Sequence, residues 1–404
     1  MNRLLEMLLC LNVFFLIIPS FAVESQEVAL VGGTVYSSPT ATPLQNAVVL
    51  LRDGKILAVG ESGKLKPAAS AKTIDCTGKV IVAGFWNSHV HFETGWQNAG
   101  TTADEKLTTH MQEMLTKWGF TTVWDLGSDP FNTFEIRRKV EAAEVLGPKI
   151  LMAGDIFPEG GHPVYLPAEL KLPEAATPQQ AQEMAEKYLK MGLDGIKLFT
   201  GSYMGDKPVV NMATPMVKAA VDVAHAHGKP VFAHPQNYAG VDNALNGGVN
   251  ILAHTIPTER GFKSEELAQM KRQHTALIPT LTLWTTVTPN KDAQEFLVQS
   301  GADEVKQYFS QGGTILFGTD VGFTSEYDTT QEYEFMARAM GWKDILASLT
   351  TNPAEYFKET NKGRVEKGMD ADLVVLDGDP AADVKNLAKV AWTIRGGAVI
   401  YSEK

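Results

Sequence analysis

Cysteine is nearly absent from this chain: only Cys10 and Cys76 occur among 404 residues. Cys10 sits in an N-terminal segment expected to be removed, which leaves one thiol. A single thiol can form no internal disulfide and no thiolate-rich metal site, so stability has to come from a packed core. Positive charge is scarce as well. Lys and Arg number 36 against 47 Asp and Glu, the formal net charge is -11, and no basic block occurs, which argues against nucleic acid as a partner. The only long apolar run is at the N-terminus and is shorter than the roughly 20 residues a spanning helix needs. A G-x-G-x-x-G phosphate loop, a solenoid repeat and a low-complexity tract are all missing, so a doubly wound dinucleotide-binding sheet has no support.

What is present is an ordinary globular composition, 44% hydrophobic and 21% charged, long enough for one large domain plus a small one. Arg3 precedes the apolar run through Phe14, Phe15, Leu16, Ile17 and Ile18, and Ser20, Phe21 and Ala22 follow as a small-x-small cleavage site. This pattern predicts a signal peptide over residues 1–22, a mature start near Val23, and a secreted or periplasmic protein with no stable membrane span after cleavage. From Val28 to Val82, β-branched runs alternate with turn residues (VALVGGTVYS, AVVLLRDGKILAVG, KTIDCTGKVIVAG), reading as strands joined by hairpins. GRVEKGMDADLVVLDGDP and VAWTIRGGAVIYSE repeat that texture near the C-terminus. The expected fold is therefore α/β, a (β/α)8 TIM barrel over residues 83–360. A small composite β-sandwich domain would be formed by the N- and C-terminal segments, residues 23–82 and 361–404.

Eight strand candidates support the barrel: FWNSHVH, TTVWDLG, KILMAGD, GIKLF, PVFAH, NILAHT, ALIPTL and TILFGTD, alternating with helices such as 180–191, 215–227 and 265–274. His89 and His91 are two apart on the first strand and so share a face. Lys197 lies inside an apolar run, where a lone ammonium would suffer a large desolvation cost without a partner or altered chemistry. His234, His254 and Asp320 each close a later strand. All six therefore fall at C-terminal strand ends, the catalytic face of such a barrel. His225 and His227 also spell HxH, but at a helix end, where i and i+2 do not share a face. His110 reads as a helix surface position, and His274 lies at the opposite rim. Trp96 and Trp284 read equally well as pocket lining or as core.

GFWNSHVHFE, GIKLFTG, FAHP, LAHT and FGTD, with NPAEYF leading into GRVEKGMDADLVVLDGDP, resemble the strand motifs of the amidohydrolase superfamily over essentially all of the mature chain. Within it, the chain is similar to the binuclear branch of imidazolonepropionase-like and secreted Xaa-Pro dipeptidase-like enzymes. The resemblance implies that His89, His91 and Asp320 hold one divalent cation and that His234 and His254 hold a second. It also implies that Lys197 is N6-carboxylated and bridges the two. Where relatives have His-Ala-Tyr or His-Ala-His after the fifth strand, this chain has His234–Pro235–Gln236–Asn237, which leaves Gln236 or Tyr238 as replacement for the group that polarises the substrate carbonyl. His162, in EGGHP, is similar to a substrate-binding loop histidine of the family.

These assignments predict hydrolysis of a C–N amide bond, in a dipeptide or N-acyl amino acid, by a metal-bound hydroxide with Asp320 as general base and acid. Nitrogen and oxygen ligands suit Zn2+, with Mn2+, Co2+ or Ni2+ as alternatives. A cyclic amide or lactone ring-opener and an ester or phosphotriester hydrolase are the competing chemistries, and a catalytically silent metal-binding scaffold is the non-enzymatic one. Arg260, after the sixth strand, is a candidate for binding a substrate carboxylate. The expected partner is a small-molecule substrate, with a homo-oligomer left open. Specificity is expected to rest on loops 92–100 and 283–290.

Overall fold

The computed structural model describes residues 26–403 except Thr94, Gly95 and Gln97, so the expected signal peptide lies outside the described residues. Among the described residues no helix is long and apolar enough to cross a membrane.

Seven parallel strands form the body of a barrel: Phe85–Val90, Phe120–Asp125, Lys149–Pro158, Gly195–Leu198, Val231–Ala233, Ile251–Ala253 and Ala276–Ile278, each paired with its neighbour in chain order. The eighth candidate, TILFGTD, closes the ring without forming a regular strand. Isolated bridges join Leu277 to Ile315 and Val90 to Val321, and the Ser88 amide donates to the Phe317 carbonyl at 2.7 Å. The ladder is interrupted because the Phe317 amide turns outward to the Ser348 carbonyl, and because Gly318 passes so close to strands one and seven that a Cβ there would collide with Ile278 and crowd His89. The chain then kinks at Asp320, which has φ +61°, a left-handed conformation costing a non-glycine residue about 1–3 kcal/mol.

Helices follow the strands as the alternating pattern predicts, at Pro178–Met191, Thr214–Ala226 and Ser264–Gln273 among others. The first of these shows why the sequence starts and stops where it does. Thr177 accepts from the Gln180 amide, Pro178 occupies the first turn, where its missing N–H costs nothing, and Gly192 ends the helix at φ +96°.

The two ends of the chain build one eight-stranded sheet. Its spine runs Ala398–Ser402, Val390–Arg395, Leu373–Leu376, Val80–Ala83, Val28–Val35, Leu44–Arg52 and Lys55–Glu61. Leu44–Arg52 and Lys55–Glu61 are the expected hairpin, turned at Asp53 and Gly54, both with positive φ. Lys72–Asp75 and Val80–Ala83 differ from the hairpin expectation, since both pair in parallel with Val28–Val35. Val80–Ala83 also pairs antiparallel with Leu373–Leu376, which ties the N-terminal segment to the C-terminal one. The alternation of side chains then decides which core each residue joins. Ile81, Leu373 and Val375 face the small domain's own interior, whereas Val80, Val82, Val374 and Leu376 face the barrel. Cys76 is fully buried in the small core, and burial pushes its thiol up to about 12, so it is a packing residue.

Candidate metal centre

Because each parallel strand ends at the same rim, side chains at the strand ends converge on the barrel axis. His89 and His91 reach inward from strand one, and backbone bonds across the barrel seam, from the Asp320 amide to the His89 carbonyl (2.9 Å) and from the His91 amide to the Val321 carbonyl (2.8 Å), lock the register of the two segments. Asp320 Oδ1 then stands 3.1 Å from His89 Nε2 and 2.9 Å from His91 Nε2, with the two ring nitrogens 3.2 Å apart. His254 closes on the same carboxylate, its Nε2 3.9 Å from Asp320 Oδ2. Its ring is 4.7 Å from that of His89 and 4.8 Å from that of His234, centre to centre. Lys197 is fully buried on strand four, its Nζ 5.9 Å from the Phe199 ring, on which His234 stacks at 4.8 Å. All six residues named from the sequence thus occupy one side of one buried chamber.

Burial dominates the protonation of this chamber. It lowers His89 and His234 to about 3 and His254 well below the ordinary imidazole value, leaving all three neutral. Burial would lower His91 too, but the Asp320 carboxylate, with Glu93 and Asp125, lifts it to about 9. Asp320 is held well below the usual carboxylate range because the neighbouring histidines outweigh its burial. Burial also pushes the Lys197 ammonium down, toward the neutral amine, against the pull of Asp320 and Asp155.

Three donor atoms from His89, His91 and Asp320 lie within 4.8 Å of one another, and this set fits a divalent cation. The proton that Asp320 holds on His91 marks the place for a positive charge, and a divalent cation among the three donors would replace it and leave both imidazoles as neutral ligands. His234 Nε2 is buried without a hydrogen-bond partner, as expected of a ring held for a ligand, and so are the second nitrogens, Nδ1, of His89 and His91. For His254 the tautomer follows from its neighbour. Thr280 Oγ1 donates to the Pro279 carbonyl at 2.9 Å, so it accepts from His254 Nδ1 at 2.6 Å, and the Nε2 lone pair is left facing the chamber.

The substrate-binding candidates fall differently. Gln236 supplies a side-chain hydrogen bond to His234. The Tyr238 hydroxyl is turned away from the chamber, 2.8 and 2.9 Å from the Glu259 and Gly261 carbonyls, and so braces the loop that carries Arg260. Arg260 is exposed at the rim with φ +61°, its guanidinium 5.1 Å from the Phe296 ring centre. Both nitrogens of His162 face carbonyl oxygens, of Pro163 at 3.2 Å and Leu170 at 3.1 Å, and tie its loop together. His225 binds Asn250, His227 binds the Val223 carbonyl, and the half-buried His110 stands against the buried Trp96. Trp284 donates to Thr255 and stands 6.4 Å from His254.

Three acids were not singled out from the sequence. Asp125 ends strand two and accepts from Ser128 and Thr133 at 2.6 and 2.7 Å. Asp155 pairs in register with Lys197, has a buried, unpartnered Oδ1, and is raised to about 8 by burial. Glu93 stands 3.8 Å from His91 Nδ1. The signal was available for two of them, because TTVWDLG and KILMAGD carry their aspartates at the C-terminal ends of strands, as FGTD does.

The family described as the amidohydrolase family matches residues 80–400. An enamidase from Eubacterium barkeri is 23% identical over 363 residues, covering 85% of each chain. An imidazolonepropionase from Porphyromonas gingivalis is 22% identical over 390 residues, covering 88% of this chain and 90% of its own. A crystal structure from Bifidobacterium longum, assigned as a prolidase, superposes with a TM-score of 0.78 at 25% identity, covering 94% of this chain and 95% of the other.

Proposed function

From the premise that this chain belongs to the amidohydrolase family, and is a hydrolase of carbon–nitrogen bonds, we propose that it cleaves the amide bond of a dipeptide or N-acyl amino acid outside the cytoplasm. The observation that carries the reading is the convergence of one ligand atom each from His89, His91 and Asp320 to within 4.8 Å of one another, with the His254 and His234 rings beside them. His89, His91 and Asp320 would hold one cation, His234 and His254 a second, and Lys197, once carboxylated, would bridge them. Two divalent cations, when bound there, supply a water acidified toward neutrality and a Lewis acid for the carbonyl. Zn2+ is the first choice for a donor set without sulfur.

The chain's own residues supply the rest. Asp320 remains ionised at neutral pH, so its carboxylate can take a proton from the attacking water and return it to the departing nitrogen. Its left-handed backbone and the bond from its amide to the His89 carbonyl hold that carboxylate against strand one. Gln236, bound to His234, is the polar side chain on the segment after strand five best placed to orient the substrate carbonyl. Arg260 offers a guanidinium at the rim for a free carboxylate.

The test is turnover by the metal-loaded mature protein on a library of dipeptides and N-acyl amino acids, with lactones and esters as comparison arms. Amide hydrolysis that disappears on chelation and returns with added Zn2+ is the expected result. Lactone or ester turnover with no amide turnover would replace the amide reading, and no metal-dependent turnover of any kind would defeat it.

A further inference from the structure

The most exposed large apolar side chains of this protein fall mostly in segments that follow the barrel strands. Of the nine large apolar side chains exposed among the described residues, all but Leu146 lie in segments that leave the C-terminal ends of the barrel strands. Four of them form a connected wall. Tyr165 and Phe323, from the loops after strands three and eight, meet edge to face with ring centres 5.3 Å apart. The Val164 amide donates to the Tyr203 carbonyl at 3.1 Å, which brings the loop after strand four against the loop after strand three. The exposures of Val164, Tyr165, Tyr203 and Phe323 range from 37% to 57%, unusual for side chains that the interior could have accepted.

The wall is built in advance of any ligand and is continuous with the chamber. Phe323 is three residues beyond Asp320, on a turn held by the Thr324 amide to the Asp320 carbonyl (3.2 Å) and the Gly322 amide to the Thr324 carbonyl (3.0 Å). Gly322, at φ +101°, lies so close to the His91 carbonyl that any side chain there would collide, so the turn is pressed onto strand one. On the other side, the two carbonyl contacts of His162 hold the loop that presents Tyr165. Burial raises the Tyr165 phenol, and the charges of Asp320, Asp155 and Glu93 raise it further.

We propose that Val164, Tyr165, Tyr203 and Phe323 form the subsite for an apolar group, preferably aromatic, on the acyl side or side chain of the amide substrate. This rests on the hydrolytic reading above. A carbonyl placed at the metal centre would carry its adjoining apolar group onto this wall, where each face of the group displaces water from an aromatic edge or from Val164. The position of the wall favours a substrate group over another protein, because the turn that carries Phe323 starts at Asp320 and is pressed onto the His91 backbone. The substrate class is thereby narrowed from dipeptides and N-acyl amino acids in general to those bearing a benzoyl-sized or branched aliphatic substituent.

The experiment compares N-benzoylglycine with N-acetylglycine, by calorimetric binding and by steady-state hydrolysis, in the metal-loaded wild type and in Phe323→Ser and Val164→Ser. Benzoylglycine is expected to bind the wild type about 10-fold or more tightly than acetylglycine, with each serine variant bringing the ratio toward unity. The wild-type ratio stands as a test even where a variant fails to fold. Binding selectivity without turnover would keep the subsite and overturn the hydrolytic reading. Turnover of both compounds with equal binding and equal kcat/KM would keep the hydrolytic reading and overturn the subsite. A dimer by light scattering that Phe323→Ser converts to monomer, with the benzoyl-to-acetyl ratio unchanged, would assign the wall to contact between copies and also overturn it.

Discussion

Thr280→Val isolates the part that a single hydroxyl plays in preparing the metal centre. Thr280 is fully buried, and its Oγ1 is 2.6 Å from His254 Nδ1 and 2.9 Å from the Pro279 carbonyl. Its hydrogen goes to the carbonyl, so His254 must donate from Nδ1, and Nε2 is kept as the unprotonated atom. Valine preserves volume and β-branching, and so keeps the cost of the left-handed backbone, φ +47°, roughly constant. What changes is that a buried N–H loses its acceptor, at about 1–3 kcal/mol, and the competing tautomer, which cannot ligate through Nε2, becomes accessible. At about 1.4 kcal/mol per factor of ten, this corresponds to roughly a 5- to 150-fold loss of metal affinity, the scale usual for partners of metal-binding histidines. Metal affinity would be read by chelator competition on the purified protein, with Thr280→Ser as control because it retains the hydroxyl. The reasoning is refuted if valine binds metal as wild type does, or if serine and valine lose affinity equally, since the backbone and not the hydroxyl would then be responsible.

Lys197→Ala should lose most bound metal and activity, with partial recovery on adding short carboxylic acids, while Lys197→Arg should not recover because a guanidinium stays charged; an unmodified Lys197 by intact mass in fully active, singly metallated protein would end the carbamate assignment. Arg260→Ala should mainly raise KM for substrates with a free C-terminal carboxylate and spare amidated analogues, and equal effects on both would remove that role. Glu304 is raised to about 8, first by burial, while its carboxylate accepts from the Ile256 amide at 2.7 Å. The native state therefore holds a proton that the unfolded chain releases near its ordinary value, so stability should fall as pH rises from about 4.5 to 8. Glu304→Gln should flatten that slope in thermal melts and stabilise the protein on the alkaline side by on the order of 1–3 kcal/mol; a slope as steep as that of the wild type would assign it elsewhere. N-terminal sequencing of material from the producing cell should begin near Val23, and an intact Met1 on cytoplasmic protein would defeat the export expectation.

Periodicity and strand-end position were sufficient to recognise the barrel and to nominate His89, His91, Lys197, His234, His254 and Asp320. A side chain at the end of a buried parallel strand has few directions to point, and polar groups inside apolar runs need a reason to be there. The hydrophobic alternation of Val80–Ala83 and Leu373–Leu376 likewise announced strands, because period two is local information. Which strands pair is not local. The parallel pairing of Lys72–Asp75 and Val80–Ala83 with Val28–Val35, and the antiparallel join to the C-terminal segment, depend on two cores competing for the two faces of one sheet. Tertiary structure alone likewise decided the broken eighth strand, where contact across the barrel seam overrides the β-branched run that predicts a continuous ladder. It also decided that the Tyr238 hydroxyl braces a loop, that Asp155 stands beside Lys197, and that Tyr165 meets Phe323. The physical reason is common to all of these. A strand carries its side-chain direction with it, but a loop residue takes its direction from whichever neighbouring loop supplies the missing hydrogen bond or apolar surface, and that neighbour is distant in sequence.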